Sequence, residues 1–75
     1  MRKVLADRLR SLRNERKLRQ IEVAVLCDIT EHAYQNYERM TREPKLEILV
    51  RIADFYGVSL DYLTGRTDAR EINKE

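Results

Sequence analysis

Glycine is scarce in this chain, with two in 75 residues, Gly57 and Gly65. There is one proline, Pro44, and one cysteine, Cys27. A single cysteine excludes an internal disulfide, which fits a reducing cytoplasm. One histidine and one cysteine are too few for a zinc site, so no metal is expected. The longest apolar run, Val23 to Cys27, is far too short to cross a bilayer, and no membrane partner is expected. No long apolar segment follows the basic start at Met1, so no secretory signal is expected. Strand-like alternation, internal repeats and low-complexity segments are missing too. No pair of catalytic groups stands out, and so small a chain has little room for a pocket; neither an enzyme nor a cofactor is expected.

What is present is soluble and globular: 43% hydrophobic and 37% charged residues in a length suited to one small domain. The net charge of +2 says little, but its distribution says more. Residues 1 to 19 carry eight Lys/Arg against two acids. Residues 20 to 38 carry four acids and no Lys or Arg. Arg39, Arg42 and Lys45 follow, and from Glu43 onward five bases meet seven acids. Such segregation suggests an anionic partner for part of the surface.

The pattern predicts an all-α fold of five helices. Leu5, Leu9 and Leu12 make the apolar stripe of a first helix from about residue 2 to residue 16. Gln20 to Cys27 reads as the second, with Ile21, Ala24 and Val25 at helical spacing. After a tight turn at Asp28 and Ile29, Thr30 is a candidate N-cap for a third helix reaching Arg39. Leu46, Leu49, Val50 and Ala53 mark a fourth, stopped by Gly57. Ser59 caps a short fifth, with Asp61 near its positive end, and Gly65 ends it. Residues 1–65 are thus expected to form the domain, and residues 66–75 a frayed polar tail.

Two short helices joined by a tight turn, the second with a polar outer face, form the helix-turn-helix pattern. On a wheel, Ala33, Tyr34 and Tyr37 turn inward. His32, Gln35 and Arg39 lie opposite, flanked by Asn36 on one edge and by Glu31 and Glu38 on the other. The stretches "LRSLRNERKLRQ", "NYER" and "REPKLEILVRIADFYGVSLDYLTG", with their spacing, resemble the Cro/repressor-type (XRE) helix-turn-helix family over roughly residues 4 to 65. The resemblance implies a compact, lambda-repressor-like five-helix domain that binds double-stranded DNA as a homodimer and regulates transcription, most often as a repressor. The chain departs from the family pattern at several places. Arg19 stands where Thr or Ser is usual, and Cys27-Asp28 where Leu-Gly is. Tyr34 replaces a small aliphatic residue, Met40 a glycine and Lys45 a serine. The two lost glycines imply left-handed backbone at Asp28 and Met40, which costs a residue such as Met about 1–2 kcal/mol.

By the same resemblance, Glu31, His32 and Asn36 take the positions that reach base edges, with Gln35 as a further candidate. Asn can bond adenine bidentately, Glu can accept from cytosine, and His can bond guanine. Arg13, Arg16 and Arg19 before helix two, and Arg39, Arg42 and Lys45 after helix three, would hold phosphates on either side. The start of helix two, at Gln20, would add backbone donors. Two readings stay open. Glu31 is equally explained as a first-turn acid stabilising its helix. The same scaffold also serves as a protein-interaction module of the antitoxin or anti-repressor type, which an acidic helix three would suit. Phe55, Tyr56, Leu60 and Tyr62 fit either a dimer surface or the core. Cys27, Tyr34 and Tyr37 read as core.

Overall fold

The computed structural model describes residues 2–71, which form five helices: α1 (Arg2–Glu15), α2 (Gln20–Leu26), α3 (Glu31–Glu38), α4 (Leu46–Tyr56) and α5 (Leu60–Thr64). Met1 and residues 72–75, including Ile72, lie outside the described residues. The helix starts are local chemistry. Thr30 Oγ1 accepts from the Ala33 N–H at 3.0 Å, and Ser59 Oγ accepts from the Tyr62 N–H at 2.9 Å. Arg19 has no acceptor to offer α2, and Glu22 reaches back to the Arg19 N–H at 2.8 Å instead.

The helix ends share one device. Past each helix one residue turns left-handed, and the next N–H returns to a carbonyl five positions back. The returning bonds are Leu18 to Arg13, Ile29 to Ala24, Thr41 to Asn36, Val58 to Ala53 and Arg66 to Asp61, at 2.8–3.1 Å. Glycine supplies two of the left-handed residues, Gly57 (φ 67°) and Gly65 (φ 83°). The other three are Lys17 (φ 56°), Asp28 (φ 58°) and Met40 (φ 66°). Asp28 and Met40 are as expected; Lys17 is a further case. Met40 keeps the strained backbone although its side chain is exposed. Met40→Gly is therefore expected to stabilise the domain by about 0.5–1 kcal/mol, the relief of strain less the extra freedom of the unfolded chain. Urea denaturation of the two proteins measures this. An unchanged or lower midpoint would mean that the methionine side chain gains more than the backbone loses.

The core joins Leu5, Ala6, Leu9 and Leu12 of α1 to Val23, Ala24 and Cys27, to Tyr34 and Tyr37 of α3, and to Leu49, Ile52, Ala53 and Tyr56 of α4. Val58, Tyr62 and Leu63 close it. Two stripes differ from expectation. In α2 the inward residues are Val23 and Ala24, with Cys27 just beyond, while Ile21 and Val25 are exposed. A run that is apolar all round gives a wheel no means of choosing its buried face. In α4, Ile52 and Tyr56 are buried where Leu46 and Val50 are not, for the same reason. Tyr56 and Tyr62 belong to the core; Phe55 and Leu60 are half-buried. At the far end, a Cβ on Gly65 would lie 2.7 Å from Val4 Cγ1, so glycine there allows α1 to approach the end of α5.

The tail expected to fray is tied down as far as Arg70. The Arg8 guanidinium lies 4.1 Å over the Tyr62 ring, donates to the Tyr62 and Thr67 carbonyls, and pairs with Asp68. Arg70 donates to both Glu15 carboxylate oxygens at 2.8 and 2.6 Å, and its carbonyl accepts from the Ser59 N–H at 2.9 Å. Those partners are distant in sequence, so local polarity gave no sign of them.

Candidate nucleic-acid interface

α3 is seated from below by Tyr34 and Tyr37 and fixed at its end by Glu38. That acid was expected on the outer edge beside Glu31. It is instead 3% exposed. Arg13 Nε donates to Oε2 at 2.8 Å and Nη2 to Oε1 at 3.0 Å, and Gln20 Nε2 donates to Oε1 at 3.1 Å. Arg10 donates to the Glu38 carbonyl. Burial alone would raise the Glu38 pKa, but the donors from Arg13, Tyr34 and Gln20 outweigh it and hold the carboxyl below its ordinary range. The same contact raises the pKa of Arg13, so both partners are held charged. Glu38 lies one helical turn beyond Tyr34, at the edge of the inward arc. That spacing was the signal available in the sequence.

This changes the standing of several arginines. Arg13 also donates to the Leu18 carbonyl at 3.1 Å, so its guanidinium is occupied inside the bundle. Arg16 donates to the Phe55 and Tyr56 carbonyls at 3.1 and 2.7 Å, completing the C-terminal end of α4. Both guanidiniums, expected to hold phosphate, are engaged by groups of the fold. The Gln20 side chain is committed to Glu38. On α1, Asp7 pairs with both Lys3 and Arg10.

The remaining candidates come together around α3. Glu31, His32 and Arg39 are exposed, and Gln35 and Asn36 are half-buried. Asn36 and His32 line one polar depression with Thr30, Ala33, Tyr37 and Arg42. Arg42 thus stands at the rim of the α3 face itself. Arg39, Arg42 and Lys45 are exposed and make no ion pair among the described residues. Arg19 is exposed on the α2 side, 3.2 Å from Glu22. Next to it, Ile21, Val25 and Leu26 leave an apolar patch open. No described helix is long and apolar enough to cross a membrane.

A short helix, a tight left-handed turn and a second helix with an open polar face define a helix-turn-helix domain. Residues 9–63 match the family model described as "Helix-turn-helix". The chain belongs to that family, as its resemblance to the Cro/repressor type implied. It is 41% identical over 62 residues to the uncharacterized HTH-type transcriptional regulator YobD of Bacillus subtilis, covering 83% of this chain and 55% of that protein. It is 37% identical over 65 residues to the cryptic phage CTXphi transcriptional repressor RstR of Vibrio cholerae, covering 87% of this chain and 59% of the repressor. With the HTH-type transcriptional regulator ImmR of Bacillus subtilis it shares 33% over 70 residues, covering 93% of this chain and 55% of the regulator. The chain therefore spans little more than half the length of these relatives. No solved structure matches it.

Proposed function

We propose that this chain binds double-stranded DNA sequence-specifically as a cytoplasmic transcriptional repressor, with α3 in the major groove. The observation that carries the reading is the division of the arginines. Arg8, Arg10, Arg13, Arg16, Arg51 and Arg70 are engaged within the fold. Arg39, Arg42 and Lys45 are left to solvent at one end of α3, with Arg19 on the α2 side. Arg39, Arg42 and Lys45, without an ion pair among the described residues, stand beside a nearly neutral polar helix and suit a duplex, whose phosphates flank the groove. Asn36, His32, Gln35 and Glu31 would meet base edges; Arg19, Arg39, Arg42 and Lys45 would hold phosphates. Gln20 would contribute through its backbone N–H alone. The relatives named as regulators and a repressor support the class. A homodimer would place two α3 helices about 34 Å apart on a two-fold symmetric site. The open patch of Ile21, Val25 and Leu26 favours one other reading, in which the domain docks on a protein.

Selection of bound sequences from random duplex DNA tests the proposal directly, and an enriched palindrome is expected. Affinity for the selected site should fall steeply with salt. Arg39→Ala and Arg42→Ala should each reduce the log–log slope by about 0.9. Fluorescence anisotropy over a salt series measures both. A parent slope near zero would favour the protein partner, and unchanged slopes in both variants would remove these arginines from the interface.

A further inference from the structure

Buried side chains of α3 and α4 share the core, and among the described residues one side-chain hydrogen bond joins the two helices. The hydroxyls of Tyr34 and Tyr56 lie 2.9 Å apart. Tyr34 is 0% exposed and Tyr56 2%, so neither hydroxyl can touch solvent or DNA. Apolar side chains can slide over one another at little cost, but a buried hydroxyl pair is directional and tolerates only a few tenths of an ångström. It therefore records where α3 sits on α4.

The ionised Glu38 carboxylate can only accept, and the Tyr34 hydroxyl helps to stabilise it. Either hydroxyl of the Tyr34–Tyr56 pair can be the donor. Burial raises the pKa of both phenols, that of Tyr56 to about 12, so both remain protonated donors near neutral pH. Polar contacts join Tyr56 on α4 to Tyr34 on α3, and Glu38 on α3 to Arg13 on α1 and Gln20 on α2. Residues 35 and 36, which follow Tyr34 directly, carry the side chains assigned above to the bases.

We propose that Tyr56, acting through Tyr34, is a positioning residue for base recognition, fixing the depth and rotation at which α3 presents Gln35, Asn36 and His32. The proposal rests on the reading of α3 as the DNA-reading helix. Tyr56→Phe and Tyr34→Phe keep the rings and delete one hydroxyl each. The double variant removes the pair. Each is compared with the parent for affinity to the selected duplex and to a scrambled duplex of equal length, well below the melting midpoint. Each single variant is expected to lose about three- to tenfold on the selected duplex, the scale of one hydrogen bond, and nothing on the scrambled one. The double variant should lose no more than Tyr34→Phe alone, because that variant already removes the bond the two hydroxyls share.

A purely structural role would lower the melting midpoints and leave the ratio of the two affinities at the parent value. That result overturns the proposal, as does an additive loss in the double variant. Should one single variant fail to fold, the other carries the same test. A parent that does not distinguish the duplexes removes the α3 reading and this proposal with it. A parent that distinguishes them, with phenylalanine variants that do so equally well, removes the positioning role alone.

Discussion

Replacing Glu38 with alanine is expected to bring the domain close to unfolding at ambient temperature. The carboxylate is 3% exposed and holds two bonds from Arg13, whose side chain is itself only 17% exposed. Removing one partner of such a pair strands the other charge in a low-dielectric setting, at about 3–5 kcal/mol. Domains hold about 5–15 kcal/mol in all, and one this small lies towards the lower end. Glu38→Gln separates the charge from the shape. The Glu38 pKa is depressed on folding, so its contribution is fully present above the ordinary carboxylate value, about 4.3. It is lost as pH falls through the lower folded value. Asp7, Glu15 and Glu22 also have lowered pKa values and titrate in the same window, but they do so in parent and variant alike. Urea melts at descending pH should therefore show a shallower acid loss in Glu38→Gln. Parallel curves would mean that the pair is not held as an ion pair.

The second large effect belongs to recognition. Asn36→Ala should cost about 1–3 kcal/mol on the selected duplex and relax the preference at one base position. Binding to unrelated DNA should stay nearly the same, because the cations that hold the backbone are untouched. Glu31→Gln should do the reverse. Losing a negative charge at the front of α3 should raise binding to unrelated DNA and narrow the gap between sites. Affinities of both variants for a selected and a scrambled duplex decide the matter. If Asn36→Ala weakens both duplexes equally, or neither, α3 does not read bases.

Most of the fold was legible because most of its signals are local. The Thr30 and Ser59 caps and the Leu5–Leu9–Leu12 stripe each depend on a handful of neighbouring residues, while the left-handed Asp28 and Met40 were legible only through the glycines that the resembled family keeps there. The buried faces of α2 and α4 were harder. Their apolar residues surround the helix, and only the partner helices decide which side goes in. The candidate site divided in the same way. Thr30, His32 and Asn36 come to one face, as the wheel of α3 requires. The status of the arginines was beyond the wheel. Arg13 finds Glu38 25 positions away, and Arg16 finds the Tyr56 carbonyl 40 positions away. A guanidinium looks the same in sequence whether it holds a helix end or waits for a phosphate.

The division of the arginines bears on how such a domain can diverge. Six of them donate to groups of the fold itself, where the planar fork and its several donors are used and lysine is a poor substitute. Arg39, Arg42 and Lys45 stand outside that network, where a compact positive charge serves nearly as well as a fork. Drift at these outer positions can retune the grip on a nucleic acid without touching the bundle. The six that bind the fold are answerable to the architecture, and their exchange is bounded by it whatever sequence the recognition face comes to prefer.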